Sequence, residues 1–243
     1  MSDGPYILIT RPRQDAELLA GKLSDLGYLP LLWPLIEIHN RLPPQELDIR
    51  KNDVYAFTSA NGVRAAVAAQ LPIRPSYAVG PATLEACKRA GFPAQAADGD
   101  VVSLTAYILK AAPTGRILHL SGRDLAGNLC AGLTEGGLQA ENIPLYTAVA
   151  QTDMPQDIRQ AAAQTAIKAV MLYSKRSASI FCDRVADQNM NDRFQDATFY
   201  CLSAGVADIL EARGFDRCRV AANPTESALL DRLTEDAPGL PGS

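Results

Sequence analysis

Ala78-Val-Gly-Pro-Ala-Thr-Leu-Glu-Ala-Cys-Lys-Arg-Ala-Gly-Phe92 and Cys201-Leu-Ser-Ala-Gly-Val-Ala-Asp-Ile-Leu-Glu-Ala-Arg-Gly-Phe215 share one pattern over fifteen residues. Each leaves a short apolar run, turns on small residues, carries an acid at its eighth position and closes on Gly-Phe. A glycine just past a helix takes the left-handed backbone conformation that costs other residues about 1 kcal/mol or more. The same unit recurs outward from these two stretches. Tyr6–Ile9 leads into Thr10-Arg-Pro12 and a helix predicted over Asp15–Leu26 that stops at Gly27. Val54–Phe57 leads into Thr58–Asn61 and a helix through Ala69. Ile117–Leu120 leads into Ser121-Gly122, and Val170–Tyr173 into Ser174–Ser177. Short apolar strands alternating with amphipathic helices imply parallel sheets covered on both faces, a doubly wound α/β architecture.

The paired stretches have matching surroundings. Each follows a strand that ends in a Ser-containing turn (Thr58-Ser59; Tyr173-Ser174), and each precedes a helix-like segment (Ser103–Ala111; Thr225–Leu233). Two similar half-proteins follow. Two other segments break the rhythm: Trp33-Pro-Leu-Ile-Glu-Ile-His39 and Ile143-Pro-Leu-Tyr-Thr-Ala-Val149. Both place Pro-Leu before an alternating run, and proline favours an edge or an isolated ribbon over a central strand. The expectation is a two-stranded β-ladder, 36–40 with 142–151, hinging two domains. One is continuous, 41–141; the other is built from both chain ends, 1–35 plus 152–243, because a single βα unit cannot bury its faces.

Composition removes several function classes. The chain has 243 residues, 47% of them apolar, and a net charge of −4, without the basic balance of a nucleic-acid binder. Its five cysteines are odd in number and never paired as C-x-x-C, as in a reduced cytoplasmic protein. No metal-ligand spacing joins them to His39 or His119. The N-terminus reads directly into a strand without an export signal, the apolar run 28–36 is broken by Pro30 and Pro34, and the tail 236–243 reads as frayed. A soluble cytoplasmic protein away from membranes is expected.

The sequence has no G-x-G-x-x-G, no Walker G-x-x-x-x-G-K, no G-x-S-x-G elbow and no H-E-x-x-H. His119, inside an apolar strand, reads as a satisfied structural histidine, and His39 as a solvated one. What remains is a set of hydroxyls at strand C-terminal ends: Thr10, Thr58, Ser59, Thr83, Ser174 and Ser203. Singly, each reads as a helix cap. Collected in two facing domains, with Arg11, Arg64, Lys175 and Arg176 in or after the same turns, they suit a ligand rich in carboxylates.

Thr10-Arg-Pro12, Pro34-Leu-Ile-Glu-Ile38, Phe57-Thr-Ser-Ala-Asn-Gly-Val63, Val79-Gly-Pro-Ala-Thr83, Leu145-Tyr-Thr-Ala-Val149 and Asn223-Pro-Thr225 occur in this order. With these motifs at this spacing, the chain resembles the uroporphyrinogen-III synthase family from end to end. The resemblance implies two flavodoxin-like domains joined by a β-ladder, with hydroxymethylbilane, a linear tetrapyrrole bearing eight carboxylates, in the cleft between them. It implies a lyase that closes this substrate into uroporphyrinogen III, inverting ring D and losing water, in haem, sirohaem and cobalamin biosynthesis. No cofactor or metal is implied. Tyr146 matches a tyrosine proposed as the family's proton donor. Thr58, Ser59, Thr83 and Ser174 match its cleft hydroxyls. Thr10, Arg11, Asn61, Gly80, Lys175 and Ser203 complete the expected substrate-binding set. A monomer is expected, receiving substrate by transient hand-over from hydroxymethylbilane synthase. One departure stands out: the second half usually repeats a Gly-Pro-Thr-Thr-like turn, and here it reads Ser203-Ala-Gly-Val206. That turn is the best support for a competing reading, a non-catalytic two-domain module that binds an anion or a tetrapyrrole. A nucleotide or flavin protein is a further alternative, opposed by the missing phosphate loops.

Overall fold

A computed structural model describes residues 4–41, 47–97, 99–125, 127–164 and 166–236. The tail expected to fray lies outside the described residues from 237 onward. Along the chain come β1 (Tyr6–Ile9), α1 (Arg13–Asp25), β2 (Leu29–Leu32) and β3 (Ile36–Asn40). Next are β4 (Val54–Phe57), α2 (Ala60–Ala68), β5 (Ser76–Ala78), α3 (Pro81–Arg89) and β6 (Ala94–Ala96). These lead to α4 (Val101–Ala111), β7 (Ile117–Gly122), α5 (Leu129–Glu135) and β8 (Ala140–Ala150). After them follow α6 (Gln156–Ala163), β9 (Ile167–Leu172), α7 (Lys175–Asp187) and α8 (Asn191–Phe194). The last elements are β10 (Thr198–Cys201), α9 (Ala204–Glu211), β11 (Cys218–Val220) and α10 (Glu226–Asp236).

The chain divides into two compact units, Met1–Glu37 with Val149–Ser243, and Ile38–Ala148. The first holds a five-stranded sheet in the order β11-β10-β9-β1-β2, every neighbouring pair parallel. Its strands are apolar on both faces because helices cover both. On one face Phe181 of α7 packs edge-on against Trp33, Phe194, Phe199 and Phe215 at centroid distances of 5.9, 5.2, 5.7 and 5.9 Å. On the other, Ile7, Ile9 and Met171 meet Leu19, Leu23, Leu229 and Leu233 of the two terminal helices.

The second unit holds a six-stranded sheet, β3-β8-β7-β4-β5-β6. The ladder expected between the two proline-bearing segments is β3 with β8, and β8 also extends the sheet. The first half of β8, Ala140 to Tyr146, pairs in parallel with β7 and is a full member of the sheet. The ladder with β3 runs from Leu145 onward, marked by Arg41 N–H donating to Leu145 O at 2.7 Å and Gln151 N–H to Leu35 O at 2.9 Å. Pro144 is tolerated because of phase. Ile117 N–H donates to Gln139 O, so alternate residues from Gln139 onward face β7, and Pro144 directs its missing N–H to the opposite side.

The two sheets share one winding pattern cut at different points. In the second unit the chain starts at β4, winds through β5 to β6, then returns to lay β7 and β8 on the other side. Read from β9, the first unit does the same through β10 and β11, with β1 and β2 on the far side. Its chain termini fall where the second unit has the passage from α4 to β7, which is why the fifteen-residue repeat maps β5–α3 onto β10–α9. Gly91 and Gly214, which close the two copies, have φ of +80° and +84°, the backbone region only glycine enters without strain.

At the N-terminal edge of the second sheet Asp53, 2% exposed, takes a forked bond from Arg116, Nε to Oδ1 at 3.1 Å and Nη2 to Oδ2 at 2.8 Å. Arg116 also reaches Asp48 O at 2.7 Å and Glu141 at 3.5 Å, tying the starts of β4, β7 and β8 together. Burial alone would raise the Asp53 pKa, but the Arg116 fork, the Arg50 amide and both guanidinium charges outweigh it and hold it below the usual range. A carboxylate with a lower pKa folded than unfolded contributes its full stability above the unfolded value, near pH 4, and loses it as pH falls through the folded value. Arg116→Met should therefore destabilise the protein by about 3–5 kcal/mol at neutral pH, since Asp53 is left buried and unpaired. It should also flatten the acid limb of the stability curve. Urea unfolding of both proteins from neutral pH down to about pH 3 checks both outcomes.

Candidate functional site

In a doubly wound sheet, ligands bind beyond the C-terminal ends of the strands, where the winding reverses and the following helices part to opposite faces. In the second unit that point lies between β4 and β7, and a pocket of about 440 Å³ opens there. Thr58 and Ser59, directly after β4, and Ser121 and Gly122, ending β7, form its floor. Val79, Gly99, Asp100, Val101, Asp124 and Leu125 form the walls, and Tyr146 enters from β8.

Tyr146 is placed by a local irregularity. The β7–β8 register slips between Ser121 and Gly122, setting Gly122 opposite Tyr146, and Arg123 N–H donates to Tyr146 O at 2.9 Å. The phenol lies flat against Gly122, whose missing Cβ would stand 2.9 Å from Cε2 and 3.0 Å from Cζ of the ring. Burial raises the Tyr146 pKa; bonds from the Ser59 hydroxyl and the Gly122 backbone, with the Arg64 charge, offset it only in part. At neutral pH the phenol thus keeps its proton inside the pocket wall, 9% exposed.

The neighbouring hydroxyls have distinct duties. Ser59 caps α2, accepting from Asn61 N–H at 3.1 Å, which leaves its own O–H for Tyr146. The Asn61 carbonyl oxygen accepts from Arg64 and braces that side chain. Ser121 is 2% exposed and its hydroxyl is turned to Asn142 Oδ1 at 2.8 Å and to the Gly122 carbonyl at 2.9 Å. Thr58 Oγ1 lies 3.0 Å from His119 Nε2. Asp100 caps α4, accepting from Ser103 N–H at 2.7 Å. Gly80 caps α3 in extended backbone, and a Cβ there would come within 3.0 Å of Gly99 Cα. Glycine at this position lets the wall loop close on the turn. Thr83, in the first turn of α3, is buried at 5% exposure and does not line the pocket.

At the equivalent point of the first unit, between β9 and β1, strand-end side chains engage partners of that same unit. Thr10 was expected to offer a hydroxyl; it is 2% exposed and donates to Met171 O at 2.7 Å, tying β1 to β9. Arg11 was expected to add free positive charge. Its guanidinium instead pairs with Glu226 and, at 3.6 Å, with Asp15, and lies 4.4 Å over the Tyr173 ring. Lys22 meets the same Glu226 at 2.6 Å. Ser174 caps α7, accepting from Ser177 N–H at 3.1 Å. Ser203 stands at the N-cap of α9 without capping it through its side chain. Lys175 is exposed and folds over Gly205, where a Cβ would come within 2.9 Å of Nζ.

Thr58, Ser59 and Tyr146, singled out from the sequence, line one pocket, together with Ser121, Gly122 and the Gly99–Val101 wall, which were not singled out as site residues. The only signal for these was a polar Ser-Gly ending an apolar strand. Among the described residues no group of three His, Cys, Asp or Glu is arranged to hold a metal ion, and no helix is long and apolar enough to cross a membrane. The contact of Gly122 with the ring predicts that Gly122→Ala lowers stability by about 1–3 kcal/mol through overpacking. Gly21→Ala, in exposed helix with open space around it, should raise it by about 0.5–1 kcal/mol. Thermal melts of the two variants beside the parent should show shifts of opposite sign.

Comparison with known proteins bears on this geometry. The sequence matches the family described as uroporphyrinogen-III synthase HemD over residues 17–231. The fold is similar to that of a mutant uroporphyrinogen III synthase from the extremely thermophilic bacterium Thermus thermophilus, 18% identical with a TM-score of 0.55, over 96% of this chain and 97% of that one. It is also similar to uroporphyrinogen-III synthetase from Helicobacter pylori, 16% identical with a TM-score of 0.64, over 95% of this chain and 99% of that one. At such identities the likeness shows the shared fold. No curated protein sequence matches. Because the family match spans most of the chain, from α1 to α10, this protein belongs to the uroporphyrinogen-III synthase family, enzymes of tetrapyrrole biosynthesis.

Proposed function

We propose that this protein is a lyase that closes hydroxymethylbilane into uroporphyrinogen III, reversing ring D and releasing one water. The observation that carries the chemistry is the protonated Tyr146 phenol at a pocket on the winding reversal of the second sheet. The substrate's terminal hydroxyl leaves as its C–O bond breaks, pushed by the pyrrole nitrogen's electron pair. Tyr146 protonates the departing oxygen, making water. The resulting azafulvene is attacked by the last ring at its already substituted carbon, and the spiro intermediate breaks and recloses with that ring reversed. The proton lost from the ring at rearomatisation restores the phenol, so atoms and charge balance. A phenol is a weak acid, and its share of the rate is on the order of 10²-fold.

Positioning supplies the larger share. The same substrate closes unaided into the uninverted ring, so selection of geometry decides the product, and a near-attack arrangement is worth several kcal/mol. Thr58 offers a hydroxyl to the substrate's carboxylates, and Arg64 contributes a positive charge that is felt at Tyr146. Asp100 already occupies the start of α4 and Ser59 that of α2, so these two helix ends contribute little beyond their dipoles. The remaining sites expected from the sequence, Ser174, Lys175 and Ser203, belong to the first unit's strand-end turns and are proposed to meet other carboxylates of the same substrate. The unaided side reaction also favours an enzyme that receives its substrate directly from hydroxymethylbilane synthase.

Purified protein supplied with hydroxymethylbilane should give mainly the type III ring by chromatography. Type I alone would refute the assignment, and tight binding of the bilane without any ring would point to a non-catalytic binding module. Tyr146→Phe should slow turnover roughly 10²-fold while keeping isomer ratio and fold; an unaltered rate removes this tyrosine as the acid.

A further inference from the structure

His119 lies in the middle of β7, 2% exposed, on the face of the sheet that packs against α4 and α5. It does not line the pocket, yet Nε2 sits 3.0 Å from the Oγ1 of Thr58, which does. Its other ring nitrogen, Nδ1, is buried and has no hydrogen-bond partner among the described residues. A neutral imidazole carries its one proton on either nitrogen, and the hydrogen-bond network assigns which. With the proton on Nδ1, a buried N–H would be orphaned, the costlier kind of unsatisfied group. With it on Nε2, the N–H is used on Thr58 and only a lone pair is left without a partner. The ring is neutral at physiological pH because burial pushes its pKa down to about 4.

From this arrangement we infer that His119 is a positioning residue that aims Thr58 at the ligand. Its Nε2–H occupies an acceptor site of the Thr58 oxygen, so the hydroxyl's own hydrogen must point elsewhere. The threonine is thereby held as a donor toward the pocket, the polarity a carboxylate requires. Without the imidazole, the Thr58 hydrogen is free to turn inward to a protein acceptor and present only lone pairs, which repel an anion. This rests on the proposed substrate in its ligand class, a carboxylate, though the tautomer itself is a property of the resting protein.

The test has two arms. Nitrogen-15 NMR of the histidine-labelled protein without ligand should show His119 protonated on Nε2 with a bare Nδ1; the reverse tautomer overturns the inference. In steady-state assays with hydroxymethylbilane, His119→Phe and Thr58→Val should each raise KM about tenfold, the loss of one hydrogen bond to a charged group, with kcat within about twofold. The double variant should be no worse than either single one. His119→Gln, whose amide N–H can stand where Nε2–H did, should restore KM to within about threefold of the parent. A rise in KM for Thr58→Val without one for His119→Phe, or a double variant whose effects multiply, would also overturn it. A parent protein yielding no type III ring would refute the enzymatic reading, whereas the NMR arm decides the tautomer independently of any turnover.

Discussion

Everything in the site depends on where a parallel sheet reverses its winding. Each strand must hand its chain to a helix, and helices that follow strands on either side of the reversal lie on opposite faces of the sheet. The strand ends there have no helix packed directly above them, which leaves a crevice at β4 and β7. At the opposite edge the strand starts are held together. There Asp53 and Arg116 clamp the strand starts with a buried fork.

The first unit obeys the same geometry and answers it differently. Its crevice holds Arg11, braced between Glu226 and Asp15 and stacked on Tyr173. A guanidinium in that position needs both carboxylates, since a half-buried charge without a partner costs more than the pair returns. Consequently the positive charge that looks available in sequence is neutralised locally. Two units of one winding pattern thus use their strand-end side chains differently: Thr58 lines a pocket, whereas Thr10 and Arg11 are engaged within their own unit.

Tyr146 shows how the site's two demands coexist. A proton donor must stay protonated until it is needed, and burial secures that by disfavouring the phenolate. It must also part with its proton, and the Ser59 hydroxyl, the Gly122 backbone and the Arg64 charge all stabilise the anion once formed. The register slip at Gly122 is what lets the ring lie close enough for those contacts. Thr58 and His119 form a parallel pair in which one buried neutral ring sets the polarity of one half-buried hydroxyl.

Local chemistry alone determined much of this protein. The apolar runs at Tyr6–Ile9 and Val54–Phe57 are β1 and β4 residue for residue, because a strand covered on both faces needs no alternation. Gly91 and Gly214 end their helices at positive φ, because the backbone there excludes a Cβ. Less was legible where neighbours, not propensity, make the structure. The three-residue strands β6 and β11 exist only because β5 and β10 offer them a ladder, and α1 starts at Arg13, ahead of the predicted Asp15, because Pro12 serves as its N-cap. The Pro144 run reads as a ribbon, since its phase relative to β7 is a relation between two strands and is written in neither. The same holds for the site. Hydroxyls at strand ends are visible in sequence, but whether one is turned inward, as Thr10 is to Met171, or faces a pocket, as Thr58 does, depends on partners 161 and 61 residues away. Sequence therefore settles what each residue can do within its own strand or helix, and tertiary structure settles what it does, because every hydrogen bond and charge is shared with a partner distant in the chain.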